Sequence, residues 1–285
     1  MSRIVYVNGA YLPEEEAKVS IFDRGFLFAD GVYEVSSIIR GKLVDNQAHL
    51  LRLNRSLNEL EMTAPASDSE IESIQYELIA RNRLKEGLVY LQVTRGAADR
   101  DFNYPEDAVP TLVMFTQAKQ IVDNAQAEKG IAIVTTPDIR WARRDIKTVG
   151  LLAPCMAKMI AKSAGADDAW MVENGLVTEG SSNNAYIITR EGVIVTRQLG
   201  NEILHGITRR AVLGLAAKAH LKIEERPFTV EEAYAAKEAF ITSASTFVMP
   251  VVKIDGRAVG EGRPGPVSKQ LREFYIAAAI ADTKA

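Results

Sequence analysis

Lys119-Gln120-Ile121-Val122-Asp123-Asn124-Ala125-Gln126-Ala127-Glu128-Lys129-Gly130 separates two halves of the chain that each carry their own strands and helices. It is polar, carries several charges and lacks β character, so it reads as a linker. Upstream, residues 111–115 and 88–94 read as strands around a polar loop. Two amphipathic helices precede them, at about residues 47–60 and 69–82, the second opening with Ser-x-x-Glu-like capping chemistry. A β-rich stretch over residues 32–40 and an N-terminal hairpin turning at Asn8-Gly9 complete that half. Downstream the pattern restarts: a strand at 131–135, an irregular stretch to Gly150 and a helix near 154–164. Strands follow at 169–172, 185–188, 239–242 and 251–254, and helices at 207–219 and 267–281. The expected fold class is α/β of the α+β type, with two mixed α/β lobes. Residues 1–118 form a small N-terminal domain, 119–130 the linker and 131–285 a larger C-terminal domain. A cleft between lobes is a common ligand site.

The chain has 285 residues, 47% hydrophobic and 25% charged, enough apolar mass for a sizeable core. With 34 Lys+Arg against 37 Asp+Glu, its net charge of -3 argues against a nucleic-acid or anionic-membrane binder. One cysteine excludes an intrachain disulfide and a cysteine metal cage, and three histidines leave little for a histidine-rich metal site. No apolar run reaches the length of a membrane span, and Met1-Ser2-Arg3 leads into a strand-like segment rather than a signal peptide. A reducing cytoplasmic compartment is expected. Phosphate-loop, dinucleotide, zinc-protease and nucleophile-elbow motifs are absent. Cys155, at an apolar helix start, reads as a buried inert thiol.

Five polar windows remain. Lys147, in Asp145-Ile146-Lys147-Thr148-Val149-Gly150, is either an exposed loop lysine or a desolvated amine able to attack a carbonyl. Thr178-Glu179-Gly180-Ser181-Ser182-Asn183-Asn184 is either a solvated turn or a carboxylate for a ring nitrogen with Ser181 and Ser182 donating to an anion. His205-Gly206-Ile207-Thr208-Arg209 reads as a helix start, an ordinary cap or a phosphate seat. Ile241-Thr242-Ser243-Ala244-Ser245-Thr246 ends a strand in small hydroxyl residues. Arg52, in His49-Leu50-Leu51-Arg52, is either a surface charge or a phosphate clamp.

In this order and spacing the windows resemble the class IV (fold-type IV) pyridoxal-phosphate aminotransferases, most closely the bacterial D-amino-acid aminotransferases. The resemblance covers nearly the whole chain. It includes Asp23-Arg24-Gly25-Phe26, Asp30-Gly31-Val32-Tyr33-Glu34, Thr94-Arg95-Gly96, Gly206-Ile207-Thr208-Arg209 and Pro250-Val251 besides the lysine and glutamate windows. It implies pyridoxal 5'-phosphate in the cleft between the lobes. It also implies a homodimer, and an amino donor with a 2-oxo acid such as 2-oxoglutarate or pyruvate as small-molecule partners. Lys147 matches the Schiff-base lysine and proton shuttle, and Glu179 the partner of the pyridine nitrogen. Arg52, Ile207, Thr208, Ser243 and Ala244 match the phosphate cup. Tyr33 and Arg100 match substrate-binding positions, whereas Phe102 stands where the D-enzymes place a histidine that traps the α-carboxylate. A phenyl ring cannot donate to a carboxylate, so either Arg100 acts with Tyr33 and other donors, or the pocket is looser and more apolar, extending to bulky D-amino acids or (R)-primary amines. Branched-chain L-amino-acid aminotransferase and aminodeoxychorismate lyase share the scaffold as alternatives. A non-catalytic cofactor-binding protein is disfavoured, because binding alone needs neither Lys147 nor Glu179.

Overall fold

The computed structural model describes residues 2–282. The chain forms two compact units. One holds residues 2–120, Ile146–Gly150 and residues 279–282; the other holds Ile121–Asp145 and Leu151–Ala278.

The first unit runs β1 (Ile4–Val7), β2 (Ala10–Pro13), α1 (Arg24–Phe28), β3 (Gly31–Ile39), β4 (Lys42–Val44), α2 (Asn46–Glu59), α3 (Asp68–Arg81), β5 (Glu86–Thr94) and β6 (Thr111–Ala118). Its sheet has the order β2-β1-β6-β5-β3-β4, and its strand pairs are antiparallel. The Asn8-Gly9 hairpin forms as expected, with both residues at positive φ. Leu50, Leu53 and Leu57 lie on one stripe of α2 and pack with Ile71 and Leu78 of α3 against Val32, Leu91 and Val93 of the sheet. The capping chemistry expected for α3 is a complete box between Ser67 and Glu70.

The second unit runs α4 (Ala125–Lys129), β7 (Ile131–Pro137), α5 (Leu152–Ser163), β8 (Asp168–Glu173), β9 (Leu176–Gly180), β10 (Asn184–Ile188), β11 (Ile194–Thr196), α6 (Ile207–Lys218), β12 (Ile223–Glu225), α7 (Val230–Ala235), β13 (Glu238–Ser243), β14 (Phe247–Ile254), β15 (Arg257–Ala258) and α8 (Pro266–Asp282). Its mixed sheet has the order β12-β11-β10-β13-β14-β7-β8-β9, with β15 paired to β14. Strand β7 is parallel to both neighbours. Trp170, Phe228, Ile187, Ile241 and Met249 lie in its main core.

Three expectations change. The stretch read as a linker contains α4, capped by Asn124 and anchored by buried Ala127. A five-residue helix is too short to show a periodic pattern. Residues 146–150, placed by sequence with the C-terminal domain, join the first unit because they line the edge of β3. The Tyr33 N–H donates to the Lys147 carbonyl at 3.0 Å, and the Val149 N–H to the Gly31 carbonyl at 3.0 Å. Cys155 is exposed, because α5 turns Ala157 and Ala161 inward, leaving Cys155 off the buried stripe. Among the described residues, no helix is long and apolar enough to cross a membrane.

Candidate active site

Strand alternation divides the work of β3. Glu34 faces α2 and is buried, whereas Tyr33 points to the opposite face, stacking on Tyr90, which stacks on Phe115. The edge segment 147–149 sets Lys147 beside Tyr33, with its Nζ 4.0 Å from the ring centroid, a cation–π distance. Lys147 is therefore half-buried against an aromatic face, not a free loop lysine. Arg52 is likewise no surface charge. It is buried on α2, donating from Nε to Glu34 Oε1 at 2.7 Å and from Nη2 to Oε2 at 2.8 Å. His49, one turn earlier, lies 2.7 Å from Glu34 Oε2. Burial pushes the Glu34 carboxyl up, but Arg52 and His49 outweigh it and hold the group at about 2.

Arg100 and Phe102 lie on the surface of the same unit in a separate cluster. The Arg100 guanidinium sits 5.3 Å from the Phe28 ring and 5.5 Å from the Phe102 ring, and Phe102 is 79% exposed. The loop that carries them is held by Arg24, which donates to the Asp101 carbonyl at 2.7 Å and pairs with Asp30.

The second unit gathers the other candidates. Glu179 is no solvated turn residue; it lies in β9 and is 3% exposed. Its carboxylate accepts from Arg140 Nη1 at 2.6 Å, from Asn184 Nδ2 at 2.9 Å and from the Leu204 N–H at 3.1 Å. Burial pushes its proton affinity up, with Arg140 and the Leu204 N–H pulling the other way. Arg140 itself is steadied by Asp138, at 2.7 Å, and Asp138 also accepts from Thr178 Oγ1 at 2.7 Å. Sequence reading missed Arg140 and Asp138. The available signal was their two-residue spacing, which lets one carboxylate chelate both the main-chain N–H and the guanidinium of Arg140. Ser181, read as a donor to an anion, instead donates to Asp168 at 2.6 Å, and Ser182 is exposed.

Helix α6 begins at Ile207 behind Gly206, and no side chain caps its first turn. Ile207 and Thr208 are both buried there. A methyl at Gly206 would meet Asn184 Oδ1 at 2.0 Å, so the helix start is packed directly on a residue that also bonds Glu179. Ser243 and Ala244, at the end of β13, are half-buried; the Ser243 hydroxyl lies 2.7 Å from that of Thr246. Chemically, this unit offers a buried carboxylate, an open helix N-terminus and clustered hydroxyls. That donor set fits a pyridine ring bearing a phosphate.

Comparison with known proteins agrees. The model of the amino-transferase class IV family matches residues 31–254. The chain is 38% identical over 279 residues to a D-alanine aminotransferase of Bacillus licheniformis, covering 98% of each chain. It is 38% identical over 272 residues to a D-alanine aminotransferase of Staphylococcus aureus (strain MSSA476), covering 95% of this chain and 96% of that one. Among solved structures, it resembles a branched-chain amino acid aminotransferase from T.th. with pyridoxamine 5'-phosphate. That match has a TM-score of 0.90 and 27% identity, covering 98% of this chain and 94% of that one. The Escherichia coli branched-chain enzyme shares the fold, with a TM-score of 0.90 at 22% identity, covering 98% of this chain and 95% of that one. With a family model spanning most of its length and relatives this similar, the chain belongs to the class IV aminotransferases.

Proposed function

We propose that this aminotransferase moves nitrogen from D-amino acids to a 2-oxo acid such as 2-oxoglutarate or pyruvate, with pyridoxal 5'-phosphate as its cofactor. The observation that carries the reading is Glu179, a fully enclosed carboxylate braced by Arg140 at 2.6 Å. A protein that merely bound an anion has no use for a buried negative charge. A protein that must keep a pyridine nitrogen protonated does. Bound there, the cofactor supplies an electron sink for the pair left behind when the α-hydrogen departs.

The chain's own groups do the rest. Glu179 holds the ring nitrogen in its protonated form, and Arg140 with Asn184 keeps that carboxylate aimed and charged. The Lys147 amine would hold the cofactor through its aldehyde carbon and would carry the proton released from the substrate's α-carbon. Thr208, Ser243, the N–H groups of Ile207 and Ala244, and Arg52 seat the phosphate. Tyr33 receives the α-carboxylate; Arg100 and Phe102, held in their separate surface cluster, join it only through association of two copies of the chain, where Phe102 would leave one side of the pocket apolar and open it to bulky D-amino acids or (R)-amines. Donor and acceptor take turns, so the kinetics are ping-pong. The exposed Ile21, Phe26, Phe102 and Val109 suit burial in a homodimer, which sedimentation would detect. The expected compartment is the cytoplasm.

A branched-chain L-amino-acid reading is favoured by the solved-structure likeness. The D reading rests on the higher identity of the D-alanine aminotransferases. Incubating the holoenzyme separately with D-alanine, L-leucine and an (R)-amine decides between them. Bleaching of the yellow cofactor by D-alanine, followed by pyruvate release, supports the proposal; bleaching by L-leucine alone overturns it.

A further inference from the structure

Helix α8 carries a buried charge that the proposed chemistry does not use. Arg272 is 8% exposed, and its four hydrogen bonds all go to main-chain carbonyls. Nη1 donates to the carbonyls of Thr246 and Val248 at 2.7 and 2.9 Å. Nη2 donates to those of Ile121 and Val122 at 2.6 and 3.0 Å. Burial pushes its proton affinity down, opposed by the charges of Glu128 and Asp123. So costly a placement calls for a task.

The two carbonyls on Nη1 flank Phe247, which has φ of 59°, the left-handed region that a β-branched or bulky residue rarely enters. Phe247 closes the hairpin between β13 and β14, a position where glycine or asparagine is usual. Its ring is completely buried and meets Tyr275, also on α8, edge to face at 4.8 Å. A guanidinium on the main chain and an aromatic wall on the side chain therefore hold one strained residue from both ends. Immediately before it stand Ser243, Ala244, Ser245 and Thr246. The Ser243 hydroxyl lies 3.3 Å from that of Ser245 and 2.7 Å from that of Thr246.

We infer that Arg272 is a positioning residue for the cofactor's phosphate, locking the turn from Ser243 to Thr246 into the shape that presents its hydroxyl and N–H donors to a phosphate dianion. The inference rests on the reading that Ser243 and Ala244 seat that phosphate. It adds that the seat is built before the cofactor arrives, by a residue that never touches it.

The test titrates the full-length apoenzyme with pyridoxal 5'-phosphate and, separately, with pyridoxal, which bears the same aldehyde without the phosphate. Visible absorbance reports binding, and circular dichroism checks folding. Arg272→Lys keeps the charge but cannot span four carbonyls, and is expected to weaken pyridoxal 5'-phosphate about tenfold while leaving pyridoxal binding unchanged. Equal weakening of both ligands, or of neither, overturns the inference. Ser243→Ala separates the two layers: if it binds pyridoxal 5'-phosphate as tightly as the wild type, the seat itself is misassigned. Hydrogen exchange on the wild-type apoenzyme tests pre-organisation directly. Slow exchange at Phe247 and Val248 before cofactor is added is expected, and free exchange there refutes it.

Discussion

Replacing Glu34 by glutamine isolates the energetics beneath the proposed phosphate clamp. The carboxylate is 2% exposed and accepts two hydrogen bonds from Arg52, with His49 at 2.7 Å. Its proton affinity is held at about 2 against an ordinary 4.5, a gap of about 2.5 pH units that at about 1.4 kcal/mol each corresponds to about 3–4 kcal/mol. Glutamine keeps the shape but turns an amide N–H against a guanidinium N–H and strands the Arg52 charge, a loss of about 3–5 kcal/mol by a separate route. The variant is therefore expected to unfold about 3 kcal/mol more easily at neutral pH. The sign with pH follows from the depressed value. Between 4.5 and about 2 the unfolded chain holds a proton on Glu34 that the folded chain does not. Wild-type stability from this group is thus complete above 4.5 and is lost as the pH falls toward 2. Urea unfolding followed by far-ultraviolet circular dichroism, run on both proteins across that range, reads the difference, because the other carboxylates cancel. The gap should narrow on acidification by about 1.4 kcal/mol per pH unit. A gap below about 1 kcal/mol at neutral pH, or one that stays constant into acid, refutes the coupling.

Arg140→Met should leave Glu179 buried without its cation, lowering stability by about 3 kcal/mol and driving the carboxyl further up; urea unfolding and cofactor titration check both. Gly206→Ala should push Asn184 off Glu179, at a cost of about 1–3 kcal/mol in the same unfolding assay, and an unchanged midpoint counts against that packing. Phe102→His restores a donor at the proposed carboxylate pocket, and is expected to lower KM for D-alanine about tenfold with cofactor affinity unaltered. Steady-state kinetics with D-alanine and an (R)-amine in parallel would show whether only the carboxylate-bearing donor gains.

What could be read from the chain and what could not divide along physical lines. The Asn8-Gly9 hairpin, the capped helix α3 and the helix start at Gly206 depend on neighbours within a few residues, so their signals are local. The α-helical stripe of α2 was visible in its leucines, but not the fate of Arg52 and His49 on the same face. Their partner, Glu34, is a strand residue 15 and 18 positions away. The pairing of Arg140 with Glu179 was hidden for the same reason: the two meet across 39 residues of sequence. Short α4 and the exposed side of Cys155 were misjudged because a few residues of composition do not reveal which face a helix buries.

The path of the chain carries a last consequence. It leaves the first unit after Gln120, returns for Ile146–Gly150, and leaves again. A gene fragment ending at residue 120 would therefore encode Tyr33 and Arg52 but not the lysine beside Tyr33, and the 31–33 end of one edge of β3 would stay bare until Val149 followed. Recombination at that junction cannot trade the halves as cassettes: a borrowed N-terminal half would receive the lysine beside Tyr33 from whatever chain came after it.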